Sequence, residues 1–174
     1  MRAQDEAELL ACIPSLRRYA RGLTADRERA DDLVQDTLER AWSRWSMWQR
    51  RGEVRAWMFG IMHNHFIDRV RAVRSRPEDN MGDMAVEVSD RARQTDQLEV
   101  RDLERALQCL PPEQRAVILL IAVEEMSYQE AAEVLGVPIG TIMSRLSRGR
   151  ERLRVDFQGR GSVVASTHRI RRVK

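Results

Sequence analysis

The chain has 174 residues, 33% charged and 43% hydrophobic, with 30 Lys+Arg against 27 Asp+Glu and a formal net charge of +3. That length allows one ordinary domain or two small ones, and that texture excludes a disordered or fibrous chain. No apolar run approaches the ~20 residues that span a bilayer, and the start Met1-Arg2-Ala3-Gln4-Asp5-Glu6 has no signal-peptide core, so a cytoplasmic protein is expected.

Aromatic residues make up only 5%, and an Arg/Glu/Leu/Ala-rich texture with 9 Gly and 5 Pro favours helices over sheet. The expected fold class is all-α, with two small helical domains. In the first, residues 6–75, three apolar stripes recur at helical spacing. Leu9, Leu10, Ile13, Leu16, Tyr19, Ala20 and Leu23 form one. After the capping candidates Thr24-Ala25-Asp26, a second runs through Ala30, Leu33, Val34, Thr37, Leu38, Ala41 and Trp45. The polar stretch Gln49-Arg50-Arg51-Gly52 interrupts the pattern, and Val54, Trp57, Met58, Ile61, Met62, His65, Phe66 and Val70 form the third. Trp42, Trp45 and Trp57 are expected to pack inward, as tryptophans at such spacings usually do.

Residues 76–97 differ. They hold Pro77, Gly82 and the five acids Glu78, Asp79, Asp83, Glu87 and Asp90, with no basic residue from Glu78 to Asp90, which reads as a flexible acidic linker. Helical periodicity returns over 98–157, and residues 158–174 read as a basic flexible tail carrying His168, Arg169, Arg171, Arg172 and Lys174.

The most specific local signal lies between Ser127 and Arg154. Ser127-Tyr128-Gln129-Glu130 fits a capping box. Ala131, Ala132 and Leu135 give the short helix an apolar face, and Gly136 suits the left-handed end of a helix. Pro138 suits the first turn of the next helix, whose Ile142 and Leu146 face the core. The Ala132, Gly136, Ile142 spacing is that of a DNA-binding helix-turn-helix. Its second helix offers Thr141, Met143, Ser144, Ser147 and Arg148 near the N-terminal half, with Arg145, Arg150, Arg152 and Arg154 adding positive charge. Such a surface reads base edges and clamps phosphates.

Catalysis finds little support. His63 and His65 stand two apart, on different helix faces, which suits shared metal ligation poorly. There is no Gly-rich phosphate loop, nucleophile elbow or metal-spaced Cys/His cluster, so neither a cofactor nor a metal is expected. Cys12 and Cys109 are expected to be buried free thiols of a reducing compartment.

Two longer segments resemble the extracytoplasmic-function (ECF) sigma factors, the smallest class of the sigma-70 family of bacterial transcription initiation factors. One is Ala30-Asp31-Asp32-Leu33-Val34-Gln35-Asp36-Thr37-Leu38-Glu39-Arg40-Ala41-Trp42, followed by Arg55-Ala56-Trp57-Met58-Phe59-Gly60-Ile61-Met62-His63-Asn64. The other is Leu110-Pro111-Pro112-Glu113-Gln114-Arg115, then Ser127-Tyr128-Gln129-Glu130, then Gly140-Thr141-Ile142-Met143-Ser144-Arg145-Leu146. The resemblance covers about residues 8 to 155 and makes 6–75 sigma region 2 and 98–157 sigma region 4. It implies a non-catalytic subunit whose partners are the RNA polymerase core (β′ clamp helices and β flap), promoter DNA and an anti-sigma factor. By the same resemblance Asp32, Gln35, Asp36 and Glu39 face the clamp helices. Trp48, Arg50, Arg51 and Asn64 engage the melted minus-ten element. Thr141, Met143, Ser144, Arg145, Ser147 and Arg148 read the minus-thirty-five element. Many relatives carry Lys or Arg where this chain has Met143, which favours apolar contact, such as with a thymine methyl. The acidic linker is expected to thread the polymerase cleft in place of RNA. The rival reading is a two-domain helix-turn-helix regulator that does not bind the polymerase; it leaves the acidic helix and the tryptophan-flanked loop unexplained.

Overall fold

The computed structural model describes residues 3–48, 52–75 and 96–169, and among them the side chains of 5–48, 52–75 and 102–158. The described elements are helical in chain order: α1 (Ala3–Thr24), α2 (Arg27–Arg44), α3 (Val54–Arg74), α4 (Asp96–Gln108), α5 (Pro112–Ile118), a π-helical turn (Leu119–Val123), α6 (Tyr128–Leu135) and α7 (Ile139–Arg169).

Helices α1, α2 and α3 pack as a bundle. Asp26 caps α2, its carboxylate accepting from the Arg29 amide at 2.7 Å. Thr24 Oγ1 donates to the Ala20 carbonyl at 2.9 Å and ties off the end of α1. Leu16, Tyr19, Leu23, Leu33, Met58, Phe59 and Met62 fill the interior, each apolar side chain contributing roughly 1.5–3 kcal/mol by leaving water. The Tyr19 and Phe59 rings meet at 5.1 Å.

The third helix buries more than one stripe. Phe59, Ile61, Met62, His63, His65 and Phe66 are all buried, because α1 and α2 cover one side and α6 covers another. A helix enclosed in this way loses the polar face that makes a stripe visible, and so the third stripe read from sequence lacked Phe59 and His63.

In the second block the expected helix-turn-helix is present. Ser127 accepts from the Glu130 amide and Glu130 Oε2 accepts from the Ser127 amide at 2.7 Å, closing the capping box. Gly136 ends α6 at φ 62, a left-handed conformation that a Cβ disfavours. Pro138 stands just before α7 rather than inside it, its carbonyl accepting from Thr141 and Ile142. Ile142 and Leu146 are buried against this unit.

The two blocks form one body with a continuous core. α1 lies against α4, α5 and the π-turn, while α3 lies against α6. Gly22 permits the first approach, since a Cβ there would stand 2.5 Å from Leu119 Cδ2. Arg115 locks it. Its buried guanidinium donates to the carbonyls of Leu107 at 2.9 Å, Gln108 at 2.9 Å and Leu110 at 3.1 Å, and also to Gln108 Oε1 and to the Leu23 carbonyl of the other block. Burial lowers its pKa to about 10, which leaves it charged at neutral pH. Gln108 Nε2 adds a bond to the Gly22 carbonyl at 3.1 Å. Side chains of α4 and α5 thereby satisfy carbonyls at the end of α1 that its own ladder leaves open.

Four expectations change. Trp42 is exposed, because Ala41 and Trp45 occupy the core-facing positions of that stretch of α2. Leu10 is exposed as well, at the edge of its stripe. Cys109 is an exposed free thiol, whereas Cys12 is free and buried as expected. Finally, α7 continues to Arg169 instead of stopping near Phe157, since no proline interrupts it and isolated glycines only weaken a helix. The acidic residues of the linker, and the tail beyond Arg169, lie outside the described residues.

Candidate functional site

On α2 the residues facing away from the core form a line. Asp32, Gln35, Glu39 and Trp42 are exposed at spacings of three and four, opposite the buried Ala30, Leu33, Val34, Thr37 and Ala41. Gln35 Nε2 donates to Glu39 Oε1 at 3.0 Å and holds both side chains along the line. Asp36 behaves differently. Its Oδ2 lies 2.7 Å from His65 Nε2 and 3.9 Å from Arg69 Nη1, so it ties α2 to α3 and is only half-exposed. Three of the four expected polymerase-facing residues thus point outward together, and the fourth is shared with the fold.

The loop after α2 begins on an aromatic cluster. Trp48 stacks on Trp57 at 5.2 Å with planes 22° apart, and both rings meet Trp45, at 5.1 Å and 5.8 Å. One face of the Trp48 indole is therefore already occupied. The ring also forms part of a cleft with Glu8, Cys12, Gly52, Glu53 and Arg55. Asn64 is exposed on α3. Arg50 and Arg51 lie outside the described residues.

Behind Asn64 two histidines point inward to different partners. His63 Nδ1 lies 3.5 Å from Tyr19 Oη. Burial pushes His63 down to about 4, with the charge of Arg145 adding, Glu113 opposing and Arg71 adding again. Burial pushes the Tyr19 hydroxyl well above its ordinary range. At neutral pH the pair is uncharged, and the hydroxyl can donate to Nδ1.

On α7, Met143, Ser147 and Arg148 are exposed, while Thr141, Ser144 and Arg145 are half-buried. Arg148 lies along its own helix, Nε donating to the Ser144 carbonyl at 3.1 Å and Nη2 to Ser144 Oγ at 3.2 Å. Arg145 is half-buried, and its charge is felt at His63. A groove on α7 is lined by Tyr128, Met143, Ser147, Arg150 and Arg154. Tyr128 had no part in the sequence expectation for this surface. Its signal was present, because the first residue of a capped helix that precedes a recognition helix stands at the same edge.

Sequence reasoning missed the seam entirely. Glu124, whose side chain is fully buried (0% exposed), sits between two arginines of the other block. Arg18 donates through Nε at 3.2 Å and Nη2 at 3.1 Å, and Arg55 donates through Nη2 to the carboxylate at 3.0 Å and to the Glu124 carbonyl at 2.7 Å. Arg55 is held over the Phe59 ring at 5.3 Å. The partners stand 106 and 69 positions away in the chain, beyond the reach of any local pattern.

Comparison with known proteins finds a family model within each block. Residues 9–63 match the family model described as the Sigma2 domain of PhyR, and residues 101–153 match Sigma-70, region 4. The chain is 38% identical over 146 residues to the ECF RNA polymerase sigma factor EcfG of Rhodopseudomonas palustris, covering 84% of this chain and 81% of that one. It is 35% identical over 142 residues to the ECF sigma factor SigE of Mycolicibacterium smegmatis, covering 79% of this chain and 55% of the relative. Among solved structures it is similar to the sigma factor RpoE of Bartonella quintana in complex with the anti-sigma factor NepR, with a TM-score of 0.77, 36% identity, and 88% and 96% of the two chains covered. The anti-sigma-binding protein PhyR of the same organism shares the fold at a TM-score of 0.60 and 20% identity.

Proposed function

The chain belongs to the ECF RNA polymerase sigma factors, and from that membership we propose how its surfaces divide the work of initiation. The α2 face with Asp32, Gln35 and Glu39 binds the polymerase core, and Asp36 holds that helix in register with α3. The α3 surface around Asn64, with the loop that carries Trp48, Arg50 and Arg51, engages the opened minus-ten strand. The α7 row of Met143, Ser147 and Arg148, flanked by Thr141, Ser144 and Arg145, reads the minus-thirty-five element. The linker acids enter the polymerase cleft in place of RNA. The protein works in the cytoplasm without a cofactor, and the polymerase supplies the chemistry.

The observation that carries this reading is the coexistence of two outward surfaces of opposite character. One is an acidic helix face suited to a basic protein; the other is a capped helix-turn-helix with exposed Met143, Ser147 and Arg148. A helix-turn-helix regulator that never meets polymerase has no use for the first, and family membership sets that reading aside.

The compact body also bears on regulation. Elements named for positions about 25 base pairs apart lie ~85 Å from one another at 3.4 Å per pair. A compact chain of this length has a radius of gyration of about 16 Å. The two blocks must part before both elements are read at once. An anti-sigma factor that favours the closed body would keep the protein silent, and the similar RpoE is a sigma factor in complex with one, NepR.

A second reading has its own observation, the match of residues 9–63 to the Sigma2 domain of PhyR, an anti-anti-sigma factor. On that reading the chain imitates a sigma factor and only sequesters the inhibitor. Run-off transcription with purified core polymerase across genomic promoter fragments, with and without a NepR-type anti-sigma factor, separates the two. Specific transcripts that the anti-sigma factor suppresses are the expected result. Anti-sigma binding with no core binding and no transcript would establish the mimic.

A further inference from the structure

Arg18 of α1 and Arg55 of α3 converge on a single anion. Arg18 Nη2 and Arg55 Nη2 stand 3.1 Å and 3.0 Å from the same oxygen of Glu124, and Arg18 Nε stands 3.2 Å from the other. Both guanidiniums are also held by their own block. Arg18 Nη2 donates to Ser15 Oγ at 3.0 Å, and Arg55 lies over the Phe59 ring. The bonded carboxylate comes from the second block, although Glu8 and Glu53 of the first border the cleft beside Arg55. The pair is thus set for an anion that arrives from outside its own block. The flank of α1 that carries it is basic. From Leu9 to Ala25 the chain holds Arg17, Arg18 and Arg21 and no acid. Arg21 is exposed one turn beyond Arg18, and Gly22, four residues beyond Arg18, meets Leu119 of the second block.

We propose that Glu124 is a built-in stand-in for a nucleic-acid phosphate: in the closed body it fills a two-arginine site that Arg18 and Arg55 offer to the DNA backbone once the blocks part. The inference rests on the reading of the chain as a sigma factor whose blocks separate at the promoter, and adds to it a phosphate site hidden in the seam. Three considerations favour this occupant. The oxygens of a carboxylate and the non-bridging oxygens of a phosphodiester offer a guanidinium the same two-pronged acceptor. Parting of the blocks withdraws Glu124 and leaves two cations side by side, which repel one another until another anion replaces it. The acid-free flank with Arg17 and Arg21 suits a run of phosphates better than one small ion, and such contacts fix position without reading sequence. Closure and DNA then compete for the same two side chains. The closed body masks its own contact, and DNA seated on the arginines favours the open form.

The test titrates the full chain with a labelled duplex of random sequence at several salt concentrations, with the radius of gyration followed by small-angle scattering. Glu124→Ala is expected to enlarge the radius of gyration and to bind the duplex about 10-fold more tightly, through one newly available charge-assisted contact. Its dependence of log affinity on log salt should steepen by about one, for one added phosphate. Arg18→Ala in the Glu124→Ala background leaves no buried carboxylate without a partner. That double variant should stay open, while its duplex affinity returns to within about 3-fold of the parent and its slope to the parental value. Tighter binding that persists in the double variant would trace the gain to another surface and overturn the proposal. An enlarged radius with unchanged affinity and slope would overturn it as well. If the added Arg18→Ala weakens binding of a NepR-type anti-sigma factor and leaves the duplex untouched, the pair belongs to the inhibitor and the proposal falls. Run-off transcription by the parent with core polymerase separates the two levels. Transcripts without any effect on duplex binding overturn the phosphate site alone, whereas no transcript and no effect overturn both.

Discussion

The outer face of α2 and the seam between the two blocks use the same side-chain chemistry to opposite ends. On α2 the carboxylates of Asp32 and Glu39 stay in water. At the seam one carboxylate, Glu124, is wholly removed from water and surrounded by two arginines of the other block. An exposed charge is inexpensive to keep and remains available to a partner, whereas a buried one must be answered where it stands. The contrast teaches that charge in this protein marks two separate properties: a surface available for binding and a joint that holds the closed body together.

The joint can be broken asymmetrically, and this is the largest expected effect. Arg18→Ala with Arg55→Ala leaves the Glu124 carboxylate buried without its partners, which costs about 3–5 kcal/mol. For a chain of this size that lowers the Tm by roughly 6–20 °C. Glu124→Ala leaves two arginines that already reach solvent, at 54% and 35% exposure; it should cost clearly less than the double variant and enlarge the radius of gyration in small-angle scattering. Equal losses from the two variants would mean that Glu124 is not the buried member of the joint.

Acid should attack the same body through His63. Its folded pKa of about 4 lies below the ordinary 6.5, so the unfolded chain takes up the extra proton first. The stability that rests on the neutral ring is complete above pH 6.5 and is lost as pH falls toward 4, by about 3 kcal/mol over the window. Urea unfolding at pH 7 and pH 4.5 measures it. The His63→Asn variant, which has no proton to take up at this position, should show a correspondingly flatter profile, and an unchanged slope would place the titration elsewhere.

Smaller effects sharpen the other side of the comparison. Ser127→Ala removes one half of the capping box and should cost about 1 kcal/mol, read as a shift of the urea midpoint with unchanged m-value. Arg148→Ala should hardly alter stability, yet it should reduce the dependence of log affinity on log salt for a minus-thirty-five duplex by about one. A parallel loss at every salt concentration would mean that the guanidinium contacts no phosphate.

How much of this was legible depended on range. The helix-turn-helix was readable because its determinants are neighbours: Ser127 and Glu130 are three apart, and Gly136 ends the helix they begin. The exposure of Trp42 was readable in principle, since it continues the line of Gln35 and Glu39 as much as it adjoins the stripe of Ala41 and Trp45. The general habit of tryptophan outweighed that local register. Helix α3 was half legible, because enclosure from several sides erased the contrast on which periodicity depends. Asn64 and the residues from Thr141 to Arg148 lie on helices, as their periodicity indicated, whereas the aromatic stacking of Trp48 follows only from packing.

By itself the sequence determined the helices, their caps, the division into two blocks and the family, because each of these is encoded within a few turns of chain. Only the tertiary structure decided that the blocks close on one another and that Glu124 and Arg115 are interior charges. These outcomes depend on groups distant in sequence meeting across a dry interface, where burial and pairing set the energies and no local pattern records them.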